Sequence, residues 1–62
     1  ATHVEFVHVD APESSLIEPL DELQREFGVT VGSYPGDGVR VKIQHESSET
    51  VREAADWFRE RV

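Results

Sequence analysis

Phe27-Gly28-Val29-Thr30-Val31-Gly32-Ser33-Tyr34-Pro35-Gly36-Asp37-Gly38-Val39-Arg40-Val41-Lys42-Ile43 is the stretch that decides the fold. Leu16, Leu20, Leu23 and Phe27 recur at helical spacing and make one apolar stripe, and Gly28 follows them as a left-handed terminator that needs no Cβ. Val29 and Val31 then alternate with Thr30, the pattern of a short strand. Gly32, Pro35, Gly36 and Gly38 crowd into seven residues and predict a turn over that whole segment. Val39, Val41 and Ile43 alternate with Arg40, Lys42 and Gln44, which predicts a strand with one buried and one open side.

Upstream, Val4-Glu5-Phe6-Val7-His8-Val9 predicts a strand over 2–9. Val4, Phe6 and His8 fall on one side and Glu5, Val7 and Val9 on the other, so either set can be the buried one. Asp10-Ala11-Pro12 ends the strand, because Pro12 lacks an amide donor and biases Ala11 to an extended shape. Ser15 and Glu18 stand at capping-box spacing, and Pro19 suits a first helical position. The segment therefore predicts an irregular first turn from about Glu13, a bend at Pro19 and a regular helix to Phe27. Downstream, Ser47 or Ser48 caps a second helix whose Val51, Ala54, Ala55, Phe58 and Val62 share a narrow face.

The order is strand, helix, strand, strand, helix, an α+β class in one domain spanning 1–62. A right-handed crossover followed by a tight hairpin places the third strand between the other two. The expectation is a three-stranded antiparallel sheet of order 1-3-2 with both helices on one face.

A chain of 62 residues buries only about 60% of the surface its unfolded form exposes, so its small core must pack well. No cysteine is present to staple it by disulfide or zinc. The longest purely apolar run is two residues, too short for a membrane span or signal-peptide core. A cytoplasmic domain is expected, either whole after methionine removal or cut from a longer polypeptide. Thirteen acidic against six basic residues give a formal net charge of −7, which repels phosphates and anionic membranes. Lys42 is the one lysine beside five arginines, and this acidic, arginine-favouring balance also fits a salt-rich cytoplasm. There a Debye length of roughly 3 Å at 1 M blunts the repulsion.

The run Leu20-Asp21-Glu22-Leu23-Gln24-Arg25-Glu26-Phe27-Gly28-Val29-Thr30-Val31, with Gly38 to Ile43 and Val51 to Val62, resembles the second half of a KH domain. It is also similar to the reduced KH-like segments that precede the ATPase module in phosphate-starvation proteins. The resemblance covers about two thirds of the chain, rests mostly on core positions, and implies the same fold. KH domains grip nucleic-acid backbone with a Gly-x-x-Gly loop. Ser14-Ser15-Leu16-Ile17 stands where that loop would fall, flanked by Glu13 and Glu18, so the resemblance implies a degenerate member without the RNA clamp.

Arg40 and Lys42 project from the open side of their strand, beside Gln44 and with Tyr34 near the hairpin, and are the candidate nucleic-acid contacts. The plainer account makes them solvated strand residues, paired across the sheet with Glu5. Trp57 lies about 120° from the centre of its helix's apolar stripe, beside Arg61. The pair is the candidate partner contact, the alternative being that Trp57 lies over the edge of its own core near Ala54. His3, His8, Asp10 and His45 lack a third fixed ligand and predict no metal site. The serines fall in caps and turns, and Gly32 to Gly38 carries no lysine for a phosphate loop. No cofactor or small-molecule ligand is expected from so small a core. The expected role is a non-enzymatic binding or accessory module that works by protein contact or self-association. The first alternative is a weak single-stranded RNA or DNA binder using the open sheet face. A further one is a ferredoxin-like regulatory or self-association domain that borrows a fourth strand from a partner chain.

Overall fold

A computed structural model describes residues 1–62. Strand β1 (His3–Val9) leads through a 3-10 turn (Glu13–Leu16) into helix α1 (Ile17–Phe27), followed by β2 (Thr30–Gly36), β3 (Gly38–His45) and helix α2 (Ser48–Arg61). The three strands form one antiparallel sheet in the order β1-β3-β2, as the pattern of elements predicts.

The register explains the two sides of the sheet. Val7 faces Val41, Val9 faces Val39 and Val31 faces Ile43, which puts the apolar sets of all three strands on one side. There Val7, Val9, Val39, Val41 and Ile43 join Leu16, Leu23, Val29, Val51, Ala54, Ala55 and Phe58 in a single cluster of twelve buried residues, against which the half-buried Val31 packs. Both helices lie on that side, and Leu23, Ala54, Ala55 and Phe58 are fully enclosed. Ala54 and Ala55 let the α2 backbone approach closely, while Phe58 fills the widest part of the core.

Local chemistry sets the ends of the helices. Gly28 takes φ 66° and donates its amide to the Gln24 carbonyl at 2.9 Å, ending α1 as its lack of a Cβ allows. The Ser47 hydroxyl accepts the Thr50 amide at 3.2 Å and caps α2. Ser15 does not build the capping box: its hydroxyl turns back to donate to the Pro12 carbonyl at 2.7 Å and closes the 3-10 turn. Val62, placed by spacing on the buried face of α2, follows the helix and is 44% exposed.

The largest departure concerns Gly32 to Gly38. This segment is not one long turn, for β2 runs to Gly36 and only Asp37 forms the tip, between Gly36 and Gly38. Glycine and proline are tolerated because β2 is an edge strand, where Pro35 forfeits no ladder bond on its outer side. Gly38 is required at the tip. Its φ is 83°, and a Cβ there would stand 2.7 Å from the Val9 carbonyl oxygen and 2.9 Å from His8 Nε2.

Candidate functional site: the open face of the sheet

The side of the sheet turned away from the helices carries Val4, Phe6 and His8 from β1, Arg40, Lys42 and Gln44 from β3, and Thr30, Gly32 and Tyr34 from β2. Phe6 sits opposite Lys42, His8 opposite Arg40, and Tyr34 opposite Arg40 on the other flank. The longer β2 thus places Tyr34 within the sheet rather than out on a turn. Val4 and Phe6 on β1 and Tyr34 on β2 remain 44%, 47% and 49% exposed, apolar groups on the two outer strands with no covering layer.

Side chains on this face lie along the sheet. The Arg40 guanidinium rests over the Phe6 ring, 5.0 Å from its centroid, a cation–π contact that holds the charge above an aromatic plate. Tyr34 leans back over Gly32, whose absent side chain leaves the room: a Cβ there would come within 3.3 Å of the Tyr34 hydroxyl. Around Gly32 a small hollow is lined by Thr30, Tyr34, Lys42 and Gln44. The face carries two permanent positive charges and no acid, on a chain whose net charge is −7.

Glu5 does not pair with Arg40 or Lys42. It lies on the helix side, opposite Ile43, and its carboxylate accepts from Arg59 of α2 at 2.9 Å. Arg59 also reaches Asp56 at 3.2 Å, so this short network ties β1 to α2. Phe6 is the residue the sequence reading missed. Alternation alone could not find it, since both sides of β1 carry apolar residues; the cue was Glu5, a charge sharing its side with Val7 and Val9 and able to reach a helix arginine.

Trp57 and Arg61 occupy the opposite layer. The Trp57 ring meets Phe27 of α1 edge to face, with centroids 5.7 Å apart, and the Arg61 guanidinium covers it at 3.8 Å. Trp57 is half-buried against the core, the second of the two placements its position allowed. Two of the histidines serve the backbone. His8 Nε2 donates to the Asp37 carbonyl at 2.9 Å, while His45 Nδ1 accepts the Ser47 amide at 2.9 Å. His3 stands opposite His45 across β1 and β3, and no three His, Asp or Glu side chains converge. The Ser33 hydroxyl donates to the Glu13 carboxylate at 2.6 Å, fastening β2 to the 3-10 turn.

The geometry defines a class: a two-layer α+β domain with one face buried under helices and the other open, presenting aromatic rings and two cations. The chain belongs to the family described as FAD synthase, middle domain, whose sequence model matches residues 1–62. No curated protein and no solved structure matches it. Family membership overturns the KH resemblance. That likeness rested on Leu, Val, Ala and Gly positions, which any chain packing this order of elements around so small a core will share. No helix is long and apolar enough to cross a membrane.

Proposed function

We propose that this domain is a non-enzymatic accessory module of an FAD synthase and that it works by protein contact through the open face of its sheet. The observation that carries the reading is the uncovered Val4, Phe6 and Tyr34 on the outer strands, on either side of Arg40 and Lys42 on the central one. Apolar surface left in water forgoes about 25 cal/mol per Å² that a partner would recover. Aromatic rings and arginine are the side chains that dominate association energy. A flat face without walls suits a broad partner better than a small molecule. The non-enzymatic part is supported by where the reactive side chains point: His8, His45, Ser33 and Ser47 are each engaged in bonds that hold the fold.

Single-stranded nucleic acid is the second reading, favoured by the same two rings and two cations. The net charge of −7 opposes it, because the chain as a whole repels a polyphosphate strand. Trp57 with Arg61 is the weaker protein contact, since Phe27 and Arg61 already take up the ring. Residence in the cytoplasm, and a salt-rich one, belongs with this proposal on the strength of the acidic, arginine-favouring composition.

The test compares Phe6→Ser/Tyr34→Ser with Trp57→Ala in the intact protein. Sedimentation reads contact between chains, and limited proteolysis reads contact between domains. The first variant is expected to weaken contact at least about tenfold, the loss of roughly 1.4 kcal/mol that burial of two rings easily exceeds. Trp57→Ala is expected to leave contact intact. The opposite pattern transfers the role to α2. Chemical shifts at Arg40 and Lys42 on adding short oligonucleotides at low salt would favour the nucleic-acid reading instead.

A further inference from the structure

We propose that the occupant of the open sheet face is a second copy of this chain, which presents the acidic flank of α1 around Ile17; the inference rests on the preceding reading and names its partner. Ile17 is 68% exposed, more than any other large hydrophobic residue of the chain whose exposure stands out. It falls about 90° away from the stripe of Leu16, Leu20, Leu23 and Phe27, so α1 cannot bury it while burying them. Asp21 lies one turn further on the same flank, and Glu18 and Glu22 form the adjoining ridge, about 100° further round the helix. Arg25 is bound to Asp21 at 3.1 Å, which leaves these two ridges with two net negative charges.

The open sheet face offers the counterpart: two positive charges on its central strand, apolar groups on either side of them and no acid. An acidic helix flank that begins at an exposed isoleucine therefore exists on the same molecule as a sheet face whose central strand carries two cations between apolar groups on the outer strands. Sizes agree as well. Three strands span about 14 Å and a helix with its side chains is about 10–12 Å wide, so one α1 covers the face lengthwise.

The two patches sit on opposite layers of the domain, so the contact joins unlike surfaces and does not close by a two-fold axis. Its footprint is on the order of 300 Å² per partner, below the roughly 800 Å² of a stable interface. The contact is therefore weak, with a Kd of about a millimolar for a free pair, and gains strength when chains are held at high local concentration. Salt weakens it, since charges on both sides remain near solvent.

Sedimentation velocity of the intact protein tests this, from about 10 μM to about 1 mM at low ionic strength, where charge pairing is least screened. The native protein is expected to grow beyond its smallest species with concentration. Arg40→Glu/Lys42→Glu and Glu18→Lys/Asp21→Lys are each expected to remain at the smallest species, and Ile17→Ser to do the same with no change of charge. All these positions are exposed or half-exposed, and circular dichroism confirms that each variant folds. An equimolar mixture of the two charge-reversed proteins restores growth, because each then meets its complement in the other. If the native protein stays at one species, or the mixture fails to associate, the inference is overturned. If reversing the sheet charges abolishes contact while reversing the α1 charges does not, the sheet face remains the contact surface and its partner is some other protein.

Discussion

Gly38 shows how much of this domain's shape depends on a single missing methyl group. Its positive φ and its approach to Val9 and His8 act together at the hairpin tip, so neither relaxing the backbone nor moving a neighbour rescues a Cβ. Gly38→Ala is expected to destabilise the chain by about 2 kcal/mol or more. Gly36→Ala, two residues away with nothing within 4 Å of its Cβ position, is expected to stay within about 1 kcal/mol of the native chain. Urea unfolding of the two variants decides it, and equal losses would contradict the account of the tip. Phe6 makes the opposite case. It is 47% exposed and its one recorded ring contact is with Arg40, so Phe6→Ser is expected to cost less than about 1 kcal/mol of stability. A loss of core size, about 3 kcal/mol, would mean that Phe6 holds the fold together rather than facing a partner.

At the scale of elements, α2 is fixed by its first turn and its buried face. Ser47→Ala removes the acceptor for the Thr50 amide and is expected to cost about 1 kcal/mol, whereas Ser48→Ala, already inside the helix, is expected to change stability by less than about 0.5 kcal/mol. Thermal unfolding followed at 222 nm reads both; a larger effect at Ser48 would move the cap. The helices were legible because their stripes repeat without interruption and Gly28 marks an end that physics nearly requires. The strand order and its open side followed from chain connectivity. What was not legible came from residues whose local preference is overruled by pairing. Gly32, Pro35 and Gly36 read as a turn when taken alone, yet β3 offers each a partner, and an edge strand forgives their defects. Ser15 reads as a cap beside Glu18, yet the 3-10 turn claims its hydroxyl first. The side on which Phe6 lies follows from Val7 and Val9 packing into the core and from Glu5 pairing with a residue 54 positions away, contacts that no local window contains.

Over the whole molecule, charge and apolarity are divided between two layers. The helix layer is acidic on its outer flank and encloses the core beneath it. The open sheet face keeps two cations, two aromatic rings and a valine uncovered. The proposed function has one side of this accessory domain covered by a partner, while His8, His45, Ser33 and Ser47 are engaged in bonds within the fold. The central claim is that this face is the one in contact. Hydroxyl-radical footprinting of the intact protein, compared with its Arg40→Glu/Lys42→Glu variant, tests it most directly. The account predicts that Tyr34, which Arg40 does not cover, is shielded in the native protein and becomes reactive in the variant, while Trp57 is modified to the same extent in both. A Tyr34 ring equally reactive in the two proteins would contradict it.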